Sequence, residues 1–375
     1  MTHMKKRLPI LALVLVAVAC HERKEVVRDT IPYVKQMAED STGTFSLVKA
    51  YRNAGTRGSI AVIGEPEACL QLAEQFLTVD DVDNIDGKPR SDRLPDFAGE
   101  TFDILMDLYN APYQRMAAAS PDSLREVTVR NAVMAVDTVS YSYALDPSSR
   151  LPKMRAKVFV LASSLLAGYG QFDVDTLFKM AGREALVVTP VEAMLSAADR
   201  AGCKRVAVWA PAEACAVYQE TASLLYPDMT VTVIPAAGNA PLRQAFREML
   251  RSFRNQRPSG VLDAVLLDSF EANPDELVAE QEHIHRQITE EDMAFDRIMA
   301  PVFRFIEPRK SLTEACYRLL REQNLFTHDI AYPAARYYQT EENREGEFVL
   351  VQVSSDYLSS QKSPSSPLSY VPDEY

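Results

Sequence analysis

Residues 204–235 read KRVAVWAPAEACAVYQETASLLYPDMTVTVIP, and residues 260–269 read GVLDAVLLDS. VAVW, VTVI and AVLL are short runs, apolar but for Thr232, without the regular polar alternation of a half-wet strand. AEACAVYQETASLL between the first two has helical spacing, and Pro227-Asp228 marks the turn that follows it. Strands with no wet face, separated by amphipathic helices, belong to parallel sheets covered on both sides.

The same rhythm extends outward in both directions. Ser59–Gly64 (SIAVIG) precedes the helical EACLQLAEQFL, and Phe102–Asp107, Lys157–Ser163 and Ala185–Thr189 are further strands. PVEAMLSAADRAG follows the last of these. Beyond the opening stretch, Val302–Ile306 leads into SLTEACYRLLREQNL, and Glu347–Val353 is a final strand. Four strand–helix units in each half predict an α/β protein of two doubly wound parallel-sheet lobes. The expected organisation is a leader over 1–19, a tether and short helix over 20–57, one lobe over 58–190 and a second over 191–340. Residues 341–375 would hold the last strand and a Ser/Pro-rich disordered tail.

The opening stretch resembles the second lobe of type I periplasmic binding proteins. There a strand–helix pair is followed by a second strand, a helix and a "DAV" strand ending in a cleft-facing polar residue, here Asp268. The likeness in topology runs over roughly 58–325. It implies two lobes that close by hinge motion on a small polar solute.

The N-terminus is MTHMKKRLPILALVLVAVACHERK. Lys5, Lys6 and Arg7 precede the apolar run Leu8–Ala19. As a helix that run rises about 18 Å, short of the about 30 Å of a bilayer's hydrocarbon core. It reads as an export signal. Ala17-Val18-Ala19-Cys20 resembles a bacterial lipobox, which implies lipidation of Cys20 and a cell-envelope anchor; His21 after the cysteine favours the outer membrane, facing the periplasm. Ala17-Val18-Ala19 also fits ordinary signal cleavage.

Removing 1–19 takes three basic residues and moves the formal charge from -12 to about -15. Such an acidic body disfavours nucleic acid. Cys69, Cys203, Cys215 and Cys316 show no CxxC pair and no metal spacing. They read as buried free thiols, with a Cys203–Cys215 disulfide as the alternative. His283 and His285 point about 200° apart on a helix and cannot share a metal. There is no dinucleotide fingerprint, P-loop or G-x-S-x-G elbow, so no cofactor or metal is expected.

Ligands of open α/β sheets bind beyond the carboxyl ends of the strands. That rule selects Glu65, Ser163, Ser164, Thr189 and Asp268, with Asp96 and Glu100 from the loop RSDRLPDFAGE proposed for the cavity rim. Each also reads as a helix cap or a surface-loop residue. The resulting expectation is a lipid-anchored, non-enzymatic protein that binds a small polar solute, with a membrane attachment and an unidentified transport partner. The alternatives are a carboxylate-based envelope enzyme, hydrolase or racemase-like, and a scaffold without a small ligand. A racemase of the aspartate/glutamate type also has two related α/β lobes. It needs one cysteine at a strand end in each lobe, one thiol removing a proton and the other returning it. Cys203 precedes its strand and Cys69 lies inside a helical pattern, so the sequence places neither there.

Overall fold

The computed structural model describes residues 28–40, 43–51, 55–236, 240–256, 260–329 and 331–354. Cys20, the leader and the Ser/Pro-rich tail lie outside them. Helices α1 (Pro32–Glu39) and α2 (Thr44–Ala50) come first. The first lobe then runs β1 (Ser59–Gly64), α3 (Pro66–Thr78), β2 (Thr101–Met106), α4 (Tyr113–Ala119), α5 (Pro121–Val136), β3 (Val139–Tyr141), β4 (Arg150–Pro152), β5 (Ala156–Leu161), α6 (Ser164–Met180) and β6 (Val187–Val188). After α7 (Pro190–Arg200) the second lobe has β7 (Arg205–Ala210), α8 (Ala212–Leu225), β8 (Thr230–Pro235), α9 (Leu242–Asn255) and β9 (Leu262–Leu267). It continues through α10 (Pro274–Arg286), α11 (Glu290–Asp296) and β10 (Met299–Ile306), and the chain ends in α12 (Pro308–Glu322), β11 (Ala334–Glu342) and β12 (Phe348–Val353).

Two sheets form, as the strand pattern predicts. One has the order β4-β3-β12-β11-β2-β1-β5-β6, the other β10-β9-β7-β8. The second is parallel throughout. In the first, the five strands from β11 to β6 are parallel, while β11–β12 and β3–β4 are antiparallel. The central strand β1 is buried along its whole length. Ile60 and Val62 face one apolar cluster with Phe102, Ile104 and Leu312, and Ala61 and Ile63 face another with Phe159 and Leu166. Burial on both faces is why these strands read as unbroken apolar runs.

The chain returns to the first lobe earlier than expected. Leu312, Cys316 and Leu320 of α12 recur at helical spacing, are fully buried, and pack on the first sheet's cluster with Phe76 and Leu72. β11 then pairs with β2 in that same sheet. The expected second lobe over 191–340 therefore ends near Ile306, and residues 308–353 belong to the first.

The lobes are not joined by a hinge alone. One apolar cluster includes Leu161, Leu165 and Leu166 of the first lobe and Val206, Val208, Tyr218 and Leu266 of the second. Helix α6 makes this possible through two glycines. A Cβ on Gly168 would lie 2.2 Å from Val217 of α8, and one on Gly170 would lie 2.2 Å from Thr128 of α5. Thr128 is fully buried and its hydroxyl donates to the Leu124 carbonyl, so it has nowhere to move. Gly170→Ala should destabilise the fold by about 1–3 kcal/mol through overpacking. Chemical denaturation checks it, and an unchanged midpoint would mean the α5–α6 crossing is looser than these distances imply.

Candidate functional site

Parallel strands bring their carboxyl ends to one edge of each sheet. In the first lobe these ends carry Glu65 after β1, Asp107 after β2, Ser163 and Ser164 after β5 and Thr189 after β6; in the second they carry Asp268 after β9 and Glu307 after β10. The two edges meet. The Ser164 hydroxyl, at the start of α6, donates to Asp268 Oδ2 across the lobes at 2.5 Å. The Asp268 backbone N–H donates to the Trp209 carbonyl at 2.9 Å, which extends the β7–β9 ladder and fixes the residue.

Asp268 is held in an unusual state. Burial pushes its carboxyl up from the ordinary 3.8 to about 6, against the opposing pull of the Ser164 and Tyr218 hydroxyls, which favour the charged form. Tyr218, on α8, is fully buried beside Asp268, and burial together with the Asp268 carboxylate holds its phenol well above the ordinary value.

Glu65 is the corresponding carboxyl of the first lobe. It stands at the cap position of α3 but does not cap it; its Oε1 accepts from the Tyr113 backbone N–H at 2.6 Å. Burial, with Asp107 nearby, pushes it up. Asp107 itself is fully buried and fully satisfied. It accepts from Asn110 Nδ2 (2.7 Å) and Thr340 Oγ1 (2.8 Å) on one oxygen, and from Tyr113 Oη (3.0 Å) and Asn131 Nδ2 (2.9 Å) on the other. Nearer the surface, Glu67 of the first lobe hydrogen-bonds Glu271 of the second, and burial plus that neighbour raises Glu271.

The other predicted residues have structural roles. Ser163 caps α6 through the Leu165 N–H, and Thr189 caps α7 through the Glu192 N–H. Thr189 also lines a 620 Å³ groove between α6, α7 and α8, with Phe172, Met180, Val191 and Val217 on its walls. At least three of the five strand-end residues are expected to line one interlobe cavity; Thr189 alone borders this groove. Asp96 and Glu100 are away from this groove: Asp96 lines a separate 130 Å³ pocket with Phe97, Tyr317 and Arg318, and Glu100 is buried. They precede β2 and so sit at the amino ends of the strands, the edge away from Asp107. Asp96 accepts the Asp81 and Val82 N–H groups, and Glu100 pairs with the buried Lys157 ammonium at 2.7 Å. Two residues that the sequence reading passed over, Asp107 and Tyr218, belong to the site region. Asp107 is a polar strand-end residue and was open to the same rule; Tyr218 carries no sequence signal beyond helical spacing.

Among the described residues Cys69, Cys203, Cys215 and Cys316 are free, so the Cys203–Cys215 disulfide does not form. Cys69 and Cys215 occupy matching places, each in the first helix of its lobe, after β1 and after β7. Cys69 Sγ lies 3.6 Å from the Leu105 carbonyl and Cys215 Sγ 3.5 Å from the Pro211 carbonyl. Burial and nearby carboxylates push both thiols up: Asp107 and Glu65 act on Cys69, Asp268 and Glu213 on Cys215. Neither is poised as the thiolate that proton abstraction by sulfur requires. Among the described residues no cluster of His, Cys, Asp and Glu is arranged to hold a metal.

No family model matches this chain, and no curated protein matches its sequence. Its fold is similar to that of solved racemases. A glutamate racemase from Bacillus anthracis superposes with a TM-score of 0.50 at 11% identity, over 76% of this chain and 90% of that one. A glutamate racemase from Francisella tularensis, solved with D-glutamate, gives 0.49 at 14% identity, over 78% and 91%. An aspartate racemase homologue from Pyrococcus horikoshii gives 0.39 at 11%, over 71% and 99%. The two-lobe α/β architecture is as the sequence predicts. The expectation of a non-enzymatic, solute-binding protein is overturned: the fold is shared with a glutamate racemase.

Proposed function

We propose that this chain is an enzyme of racemase-like chemistry, moving a proton on and off a carbon beside the carboxyl group of a small amino-acid-like substrate. The observation that carries the reading is Asp268: a half-buried carboxyl at a strand's carboxyl end, raised to about 6 and touching the opposite lobe through Ser164. A carboxyl poised there gains and loses a proton near neutral pH, which is the requirement for general acid–base work. The fold shared with glutamate racemases supports the setting.

Inversion at carbon needs a proton acceptor on one face and a donor on the other. The chain supplies carboxyls where a thiol pair would otherwise serve: Asp268 from the second lobe and Glu65, raised in the same direction, from the first. In one turnover one carboxylate takes the substrate's proton and the other carboxyl group gives its own to the opposite face. Glu65, Glu67, Asp268 and Glu271 make this edge acidic. A second carboxylate on the substrate would be repelled, so an amino acid with a neutral or basic side chain fits better than aspartate or glutamate.

The test is exchange in D2O. Single amino acids are incubated with the protein at neutral pH, and loss of the Cα–H signal is followed by proton NMR. At least one neutral or basic amino acid should exchange; a panel in which none does would remove the reading. The carboxyl assignment has its own check. Cys69→Ala and Cys215→Ala should each keep the exchange rate within about threefold, because buried protonated thiols take no part. A loss of a hundredfold or more in either would return the chemistry to sulfur.

A further inference from the structure

Glu65 and Asp107 follow the neighbouring parallel strands β1 and β2, and one residue touches both. Tyr113, the first residue of α4, donates its backbone N–H to Glu65 Oε1 at 2.6 Å and its hydroxyl to Asp107 Oδ2 at 3.0 Å. The first N–H of a helix has no partner inside the helix, and Pro112 before it offers no side-chain cap, so this N–H is open to Glu65. Among the described residues no other donor reaches Glu65. The far end of Tyr113 is held much more firmly. Its ring is fully buried in an apolar cluster with Leu105 and Ala117. Its hydroxyl meets a carboxylate that the side chains of Asn110, Asn131 and Thr340 also fix. The Asp107 backbone N–H donates to the Gly64 carbonyl at 2.9 Å, so the anchor is tied to the strand that delivers Glu65.

We propose that Tyr113 is a positioning residue for Glu65: the grip of its hydroxyl on Asp107 sets the direction from which its backbone N–H meets the Glu65 carboxyl. The inference rests on the acid–base reading of Glu65 and Asp268. Phenylalanine would fill the same apolar space but would leave the first turn of α4 held by packing alone. A carboxyl that gives a proton to one face of a carbon needs one orientation. A single aligned donor on Oε1 supplies it and leaves Oε2 to carry the proton. Tyr113 stays a donor to Asp107, since burial and the Asp107 charge keep its phenol protonated. The other titratable groups facing Glu65 are Asp107, Cys69 on α3 and Glu271 of the second lobe. Burial pushes the Cys69 thiol up and keeps it neutral. Asp107 and Glu271 act on Glu65 through charge, and the test separates charge from aim.

The experiment reads the ionisation of Glu65 by carbon NMR of glutamate-labelled protein, with Glu65→Gln assigning the signal. Tyr113→Phe keeps the ring and the backbone N–H and removes only the grip on Asp107. Its Glu65 midpoint should rise by about half a pH unit or more, because a misaligned N–H stabilises the charged form less. Thr340→Val is the control: it takes a donor at 2.8 Å from the other oxygen of Asp107 and has no bond to Glu65. It should leave the Glu65 midpoint where it is. A rise in Thr340→Val as large as that in Tyr113→Phe would place the effect in the Asp107 charge and overturn the positioning role. A midpoint that does not rise in Tyr113→Phe would overturn it too. Should Tyr113→Phe fail to fold, the labelled amide and ring carbon of Tyr113 in the parent serve instead: both should follow the Glu65 titration, and a flat signal in either overturns the proposal. The titration needs no substrate. A protein that exchanges no amino acid would end the enzymatic reading, while the Glu65 midpoints decide the role of Tyr113 separately.

Discussion

Asp268→Asn should lower α-proton exchange by about a hundredfold or more, the scale on which a positioned acid–base group contributes. Asparagine preserves the shape and can still accept from Ser164, so the loss isolates the proton-carrying function. The direction of the defect is informative. With two carboxyls serving opposite faces, losing one leaves the other able to exchange the proton of one enantiomer while inversion stops. Asp268→Asn should therefore abolish racemisation yet retain slow exchange for the enantiomer that Glu65 serves. Glu65→Gln should show the reverse preference. The pH dependence follows from the shift. In the direction where Asp268 acts as base, the rate should rise through about pH 6 as it ionises. Stability runs the other way. An unfolded aspartate ionises near 3.9, the folded one near 6. Between these values the native state holds more protons than the unfolded one, so stability contributed by this group is present below about pH 4 and is lost as pH rises through about 6. The neutral asparagine escapes that loss. Asp268→Asn should thus be more stable than the parent above pH 7, by about 1–2 kcal/mol after allowance for partial solvent access. An exchange rate within threefold of the parent, with no pH-dependent gain in melting temperature, would reduce Asp268 to a structural carboxylate.

A site that gains stability when its working group is removed is what strain at a functional position looks like, and sequence patterns record such a group only by place. Asp268 and Ser164 were legible separately as polar residues at strand carboxyl ends. Their meeting was not, because they lie on different lobes and nothing local encodes how α6 crosses α8. The apolar strands were legible since burial on both faces leaves an unbroken run. β11 was not: AARYYQTEE follows Pro333 and has no apolar run, and it becomes a strand by pairing with β2 on one side and β12 on the other. β3 and β4 are three-residue strands, too short for any period to show. Asp96 and Glu100 were misplaced for a different reason. Their residue types suit a ligand, but they precede β2, and strand direction alone already assigns them to the edge opposite the site. The sequence places no thiol at a strand end, and that counts against a racemase; the structure shows Cys69 and Cys215 buried near the strand-end carboxyls, which push both thiols up, in a fold shared with a glutamate racemase.

Glu100 therefore belongs to the architecture, and Lys157→Met should show it through the largest stability loss among the variants considered. Lys157 is the second residue of β5, and its side chain is fully buried. Its ammonium donates to the Leu325 carbonyl at 2.7 Å and the Thr56 carbonyl at 3.2 Å, and pairs with Glu100 at 2.7 Å. Glu100 in turn accepts the Thr327 N–H at 2.8 Å. The pair thus stitches β5 and the approach to β2 onto the segment that carries the chain from α12 to β11. Methionine matches the length of lysine but leaves a buried carboxylate unpaired, a change that costs about 3–5 kcal/mol. The loss should depend on pH with a definite sign. Burial already raises Glu100 and the Lys157 charge pulls it down; without that charge it rises further. The variant's defect is then present at neutral pH and shrinks as pH falls through the new Glu100 midpoint, where the carboxyl becomes neutral. Replacing both partners, Lys157→Met with Glu100→Leu, removes the orphan charge and should recover more than half of the loss, since an apolar pair of similar volume often matches a buried ion pair. Exchange activity per folded molecule should be the same in the parent and both variants, because this edge of the sheet faces away from Asp268. Equal melting temperatures for Lys157→Met and its parent would show that the pair contributes nothing to the fold. A double variant no more stable than the single one would place the cost in the lost carbonyl contacts and not in the stranded carboxylate.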